Sequence, residues 1–312
     1  MPPTLDPTTW AQINTAHIKA FDTNFKMAVQ QKKSRVRGLV ANATQSAQYK
    51  FWTKIEAIAE ATELTTPARH APTQYSEINL TRRRLGTVSW YFATLLDEDD
   101  EDEIISDPSS GYMEAIVSAF NRKADKNIIN AFFADVATGE DGGSTETYAG
   151  AAGKPGDIAV GSGAAAALTI DKLRNMMIGF HENDYFPEEN GPINALIKPK
   201  HLGQLLQQEK AINGDYITEL QAISDGKLDK LMGFRLQLCN LLNTTANVTD
   251  VPVFAGAGML FATAREYQTR ADLLPGMTYN RQMYASYKNG AVRMDSKLVG
   301  RIKVDDTAVP NA

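Results

Sequence analysis

The chain has 312 residues, 43% of them hydrophobic and 22% charged, with a formal net charge of -5. That length supports one elaborate domain or two ordinary ones with ample core, and the acidic balance excludes a surface that binds nucleic acid throughout, while leaving room for a local basic patch. The single cysteine, Cys239, lies in the apolar run LQLCNLL, so it reads as a small buried hydrophobe, and no disulfide can form within the chain. That usage fits synthesis in a reducing cytosol. The N-terminal stretch MPPTLDPTTW lacks a charged-then-apolar signal pattern, and no apolar run approaches the roughly 18 residues that span a bilayer.

In chain order, residues 1–48 are polar and weakly amphipathic, with Trp10, Ile13, Phe21 and Phe25 irregularly spaced. They read as an arm with too few apolar groups for its own core, ordered by lying on something else. Residues 49–58 and 80–96 are strand-like. In the second, Val88, Trp90, Phe92 and Leu96 fall on one face at the period of two of a half-buried strand. The Thr-, Pro- and Ala-rich stretch between them predicts a long β-hairpin with a polar, proline-stiffened tip. Because an isolated hairpin is marginal in water, a projecting one implies a partner surface, either within the chain or on a neighbour.

One charge run lies within this hairpin and a second follows it. Arg82, Arg83 and Arg84 are clustered cations of the kind phosphates require, but thin aromatic interleaving and the acidic chain favour contact with a neighbour's anions. Asp97, Glu98, Asp99 and Asp100, continuing to Glu103, lack the alternating ligands and central glycine of a calcium loop. They read as a solvated turn able to complement basic surface on another subunit, and both runs are candidate subunit-interface residues.

The organising element follows. Asp107-Pro108-Ser109-Ser110 supplies helix-start chemistry. Met113, Ile116, Val117, Phe120, Ala124, Ile128, Ala131 and Phe132 then recur on one helical face, predicting a helix over 109–136. At 1.5 Å per residue it is roughly 40 Å long, a spine against which other elements must lie. A glycine- and alanine-rich crossing comes next. Its Gly161-Ser162-Gly163-Ala164-Ala165-Ala166 fits the dinucleotide-binding pattern on paper, but that fingerprint needs a helix opening at the glycines. Here the helix is expected to start near Thr169-Ile170-Asp171.

A compact α/β region is predicted beyond, with a helix face at Leu173, Met176, Met177 and Phe180, a turn over 187–192 and a buried strand over 193–197. A short helix over 201–208, a strand over 232–238, a loop through NLLNTTANVTD and apolar segments at 251–254 and 258–262 continue it. Residues 279–287 alternate, Asn289-Gly290 is the strongest short hairpin signal, and 298–304 is a closing apolar strand. No catalytic constellation emerges. His17, His70, His181 and His201 are scattered, His181-Glu182 lacks the P-C-x-x-C of a deaminase, and neither a nucleophile elbow nor a P-loop occurs. No cofactor, metal or membrane partner is therefore expected.

The ordered set resembles a family, the major capsid proteins of tailed bacteriophages with the Hong Kong 97-type fold. The residues that carry the likeness are LTRRRLGTVSWYFATLLDEDD leading into the helix with Ala124–Ile129 and Ala131-Phe132, then Leu196-Ile197-Lys198-Pro199 with Leu202, Leu205 and Leu206. Leu231-Met232-Gly233-Phe234, the strand Tyr287–Arg293 and the closing 298–304 complete it. The resemblance implies an α+β fold with an N-terminal arm (1–48) and an extended E-loop hairpin (49–96). It further implies a peripheral P-domain (97–154 and 271–295), an axial A-domain (155–270 and 296–305) and a tail (306–312). It implies pentamers and hexamers of a head enclosing double-stranded DNA without sequence specificity, with scaffolding, portal and decoration proteins as further partners. The arm is shorter than a fused scaffolding segment, implying a separate scaffold or none, and no Lys–Asn cross-link is carried over. A nanocompartment shell of the same fold and a nucleotide-dependent enzyme using Gly161–Ala166 are the rival readings.

Overall fold

The computed structural model describes residues 30–56, 58, 75, 77–96, 109–161, 166–207, 231–276 and 280–308. After a single 3-10 turn at Arg37–Leu39 come β1 (Ala41–Thr44), β2 (Tyr49–Ile55), β3 (Leu80–Gly86) and β4 (Val88–Leu96), then the spine helix α1 (Ser109–Phe132). The crossing region holds β5 (Val136–Thr138), β6 (Ser144–Glu146) and β7 (Asp157–Ile158). The α/β region follows with α2 (Ile170–Glu182), α3 (Pro187–Asn190), β8 (Ile193–Ile197), α4 (Pro199–Leu206), β9 (Phe234–Leu238), β10 (Thr244–Thr245) and β11 (Val248–Ala255). The chain closes with the long pair β12 (Met259–Leu273) and β13 (Arg281–Arg293), and β14 (Val299–Asp305).

The strands form three sheets, ordered β1-β12-β13-β4, β7-β14-β11-β8-β9 (with β10 on β11) and β2-β3-β5-β6. The predicted face of α1 is the buried one: Ile116, Phe120, Ala124, Ile128 and Phe132 join Met259, Phe261, Ala285 and Tyr287 of β12 and β13 in one core. The helix stops at Phe132 rather than 136, and the Arg293 guanidinium donates to the carbonyl of Phe132, its last residue, and to that of Ala134 just beyond, at 2.7 and 3.1 Å, satisfying acceptors that a helix terminus leaves open. Val136 then opens β5 instead. α2 starts as expected, with the Thr169 hydroxyl accepting from the Lys172 N–H. It covers a second core with the inward residues of β8, β11 and β14.

The middle sheet lies between the two cores. Ile193, Ala195 and Ile197 of β8 point toward α2, whereas Leu196 points toward α1. On β11, Val251, Val253 and Ala255 face α2 while Phe254 meets Phe132 of α1, ring centroids 4.5 Å apart. Alternating side chains of a fully covered strand thus serve both interiors, which is why β8 is buried at all five positions.

Several expectations are corrected. Residues 80–96 are two strands, not one, because the chain changes sheets at Thr87: β3 pairs with β2, and β4 pairs with β13. The hairpin's paired strands are therefore β2 and β3 alone. On the expected inward face of β4, Trp90 is half-buried, with the Lys123 ammonium 3.9 Å from its ring, while Val88 and Phe92 are exposed. Asn289-Gly290 is no turn, since β13 runs unbroken through it. A Cβ on Gly290 would sit 2.2 Å from the Gly86 carbonyl, so glycine is there to let the strand pass the corner where β3 becomes β4. The Asn289 side chain, itself buried, accepts from Asn127 Nδ2 of α1 at 2.8 Å. The tight hairpin lies instead in the predicted loop, where Ala246 and Asn247 both have positive φ between β10 and β11. Residues 187–190 form the helical turn α3 rather than a plain turn.

Candidate assembly surface

The arm is fixed by one carboxylate. Asp125, fully buried on α1, accepts from Gln31 Nε2 at 2.6 Å, the Ser34 hydroxyl, and the backbone N–H groups of Arg35 and Val36 at 2.9 and 3.3 Å. Around it Lys32 pairs with Glu114 at 2.6 Å, and Asn121 and Arg122 donate to the carbonyls of Lys32 and Gln31. A polar segment thereby gains order from a charged side chain, which supplies hydrogen bonds that an apolar stripe cannot. In the sequence Asp125 is one of four charged residues, with Arg122, Lys123 and Lys126, that interrupt the apolar run of the helix. Nothing local marks it, because its donors lie about 90 residues away. The earlier part of the arm, residues 1–29, lies outside the described residues.

The hairpin is rooted in a second buried network. Arg83 donates from Nη2 to both carboxylate oxygens of Glu146 at 3.1 and 2.9 Å, and from Nη1 to the Arg293 carbonyl at 3.1 Å. Ser296 donates to Glu146 and accepts from Arg293 Nε. Burial pushes the Glu146 carboxyl up, but hydrogen bonds from Ser296 and Arg83 outweigh it and hold the carboxyl below its usual range. Of the three adjacent arginines only Arg83 is buried, tying β3 to β6 and to the end of β13, while Arg82 and Arg84 are exposed. Arg84 lies over the Tyr49 ring at 5.1 Å. The structure thus does not bring the three together: Arg83 serves its own subunit, and its neighbours face outward. Asp97, Glu98, Asp99 and Asp100 lie outside the described residues.

Beside this root opens a cleft of about 580 Å³ lined by Lys54, Glu56, Arg82, Glu140, Asp295 and Lys297 among others. Its charges are largely matched in place: Lys54 reaches Asp295 at 2.5 Å and Glu56 at 3.5 Å. Among the described residues no group of three or more His, Cys, Asp and Glu side chains is placed to hold a metal. Ser162, Gly163, Ala164 and Ala165 of the glycine pattern lie outside the described residues, and α2 opens at Ile170, beyond it. His201 is buried in a different network. It and Thr249 hydrogen-bond Asp306 Oδ1 at 2.9 and 2.7 Å, while Lys198 pairs with Oδ2 at 2.9 Å. This joins α4 and β11 to the chain leaving β14. Burial of Asp306 is outweighed by these hydrogen bonds, which hold its pKa at about 2.

The hairpin and β4 leave several large apolar side chains uncovered. Tyr49, Ile55 and Leu80 on the hairpin are 53%, 64% and 56% exposed, and Tyr91 on β4 is 73% exposed. Scattered exposed apolar side chains are normal, but here they fall together on β2, β3 and β4. The observed features are an arm bound along a helix, a hairpin held by a charged root, and adjoining strands with open apolar faces.

Comparison with known proteins agrees with this architecture. Residues 13–306 match the family model described as phage capsid protein. The fold is similar to the capsid subunit of Cyanophage Pam1, at 11% identity over 98% of this chain and all of that one, with a TM-score of 0.72. It is similar to the capsid of Ralstonia phage GP4, at 7% identity over 93% and 95% of the two chains with a TM-score of 0.71. It is also similar to the capsid of a native GTA particle, at 12% identity over 96% and 99% with a TM-score of 0.67. No curated protein matches. With the family model spanning nearly the whole sequence and the fold shared end to end, this chain belongs to the phage capsid protein family.

Proposed function

We propose that this capsid protein is the major subunit of a phage head, assembling into pentamers and hexamers that enclose double-stranded DNA. Its role is structural rather than catalytic. The observation that carries this reading is the open apolar surface of the hairpin and β4. Stable interfaces of this kind bury about 2,000 Å² or more in total, and a projecting hairpin plus an arm supplies that area by overlapping neighbours. Head-to-tail contacts of one chain close into rings where the rotation permits. Arg82 and Arg84 on the hairpin, and the acidic run from Asp97, Glu98, Asp99 and Asp100 onward, are assigned as complementary register devices between subunits.

Residues 1–48 act as the arm and 49–96 as the E-loop. Residues 97–154 with 271–295 form the P-domain, 155–270 with 296–305 the A-domain, and 306–312 the tail. The participation of Met259 and Phe261 in the core under α1 supports counting β12 with the P-domain as well. A separate scaffolding protein, a portal and decoration proteins are the further partners, and assembly takes place in the host bacterial cytoplasm. The test is negative-stain electron microscopy and sedimentation of the purified protein, alone and with a scaffolding partner. Closed particles that package nucleic acid are expected. A chain that stays monomeric under all such conditions refutes the reading.

A further inference from the structure

Among the described residues the three sheets end in β1 and β4, β7 and β9, and β2 and β6. Only two of these edge strands are seven residues or longer, β2 with seven and β4 with nine. The other edges have five residues or fewer. A strand edge carries a row of unpaired N–H and C=O groups, and chains that remain separate blunt such edges with charge, proline or a bulge. β4, with the sequence VSWYFATLL, carries no charged residue and no proline, and its pairing with β13 is regular from Val88 to Leu96. Tyr91 and Leu95 are exposed on one of its faces, Val88 and Phe92 on the other. That is the description of an edge made to be paired.

We propose that the free edge of β4 is completed by β2 of a second copy of this chain, running antiparallel, so that the β1-β12-β13-β4 sheet of one subunit continues into the hairpin sheet of the next. The inference rests on the capsid reading and names the contact within it. Three observations select β2 as the occupant. It is the other long strand at the end of a sheet, and its exposed Tyr49, Phe51 and Ile55 alternate along one face at the same two-residue period. Within one subunit the two strands belong to different sheets, so neither edge satisfies the other. The third is charge. The sequence leaving β4 is DEDDEDE, and Lys50 at the start of β2 has its ammonium 4.2 Å from its own Trp52 ring, with no carboxylate engaging it among the described residues. Antiparallel pairing brings the start of β2 to the end of β4, where that acidic run begins; parallel pairing would carry Lys50 to the far end. The contact is heterologous, one subunit's β4 with another's β2, which is the kind that builds rings.

Hydrogen exchange read by mass spectrometry on assembled wild-type particles and on dissociated subunits tests this without any substitution. The β4 and β2 peptides should each exchange at least about tenfold more slowly in the particle at the amides left open within the subunit. Cysteine pairs supply the partner's identity, since the native Cys239 is fully buried. Particles carrying both Tyr91→Cys and Thr53→Cys should form intersubunit disulfides under mild oxidation, whereas either single variant should not. Particles in which β4 exchanges as fast as in free subunits overturn the pairing and leave the capsid reading standing. Cross-linking of Tyr91→Cys to itself overturns it in favour of a two-fold β4–β4 contact. A wild-type chain that forms no particle overturns both readings together.

Discussion

Replacing Asp125 by alanine removes the acceptor of four donors, two of them backbone N–H groups, at a fully buried position. The loss should be about 2–4 kcal/mol, read as a lower denaturant midpoint. Proteolysis should newly appear within residues 30–40, with helix content by circular dichroism nearly unchanged. Acid should act at the other network. Asp306 in the fold binds its proton more weakly than in the unfolded chain, so its contribution is complete above the ordinary carboxylate range and drains away as the pH falls toward about 2. His201 is shifted the same way: burial lowers its pKa from 6.5 and outweighs the opposing pull of Asp306. Below about pH 6.5 the unfolded chain therefore takes up the His201 proton more readily than the fold does, and stability falls. Denaturation midpoints should drop between pH 7 and 5 in the wild type, and the drop should be smaller in His201→Gln. None of these partnerships was legible in the sequence. Asp125 finds its donors about 90 residues upstream and His201 meets Asp306 across 105 residues, and spacing rules see only neighbours.

At the level of elements, legibility followed the source of the ordering. The α1 face was readable because helix periodicity is written locally, and β8 because a short apolar run suits a strand covered on both faces. Turn chemistry misled where tertiary crowding overrode it. Asn289-Gly290 has the residues of a tight turn, yet the glycine answers a contact with Gly86 on another sheet. Ala246-Asn247 makes the actual turn with a residue that turn rules do not favour. Gly290→Ala should accordingly cost about 3 kcal/mol or more by driving the β3–β4 corner away from β13. Thermal unfolding would detect this, and an unchanged melting temperature would contradict the packing described. Gly161 is a useful contrast: a Cβ there meets nothing within 4 Å, so Gly161→Ala should leave the melting temperature nearly unaltered.

For the whole molecule, the two exposed arginines and the buried one separate folding from association. Arg82→Glu with Arg84→Glu should leave a soluble, folded subunit whose particle yield falls several-fold. Arg83→Glu should unfold the hairpin root, because it sets a carboxylate against Glu146 where a guanidinium now joins three elements. Particle yield by sedimentation alongside circular dichroism distinguishes the two outcomes, and full yield from the first variant would remove Arg82 and Arg84 from the interface. The sequence implied that the arm is ordered by lying on something else, which residues 31–36 do on Asp125 of α1, and that a projecting hairpin meets a partner surface. It did not show the interior shared by α1 and α2 through the middle sheet, because a continuous apolar strand does not say what lies on either side of it. That shared sheet has a mechanical consequence. With Phe254 gripping one helix and its flanking residues the other, there is no greasy seam along which one half of the subunit can glide past the other. On the proposed capsid reading, a shell that swells or changes curvature is therefore expected to take up the displacement at the contacts between subunits rather than across this sheet.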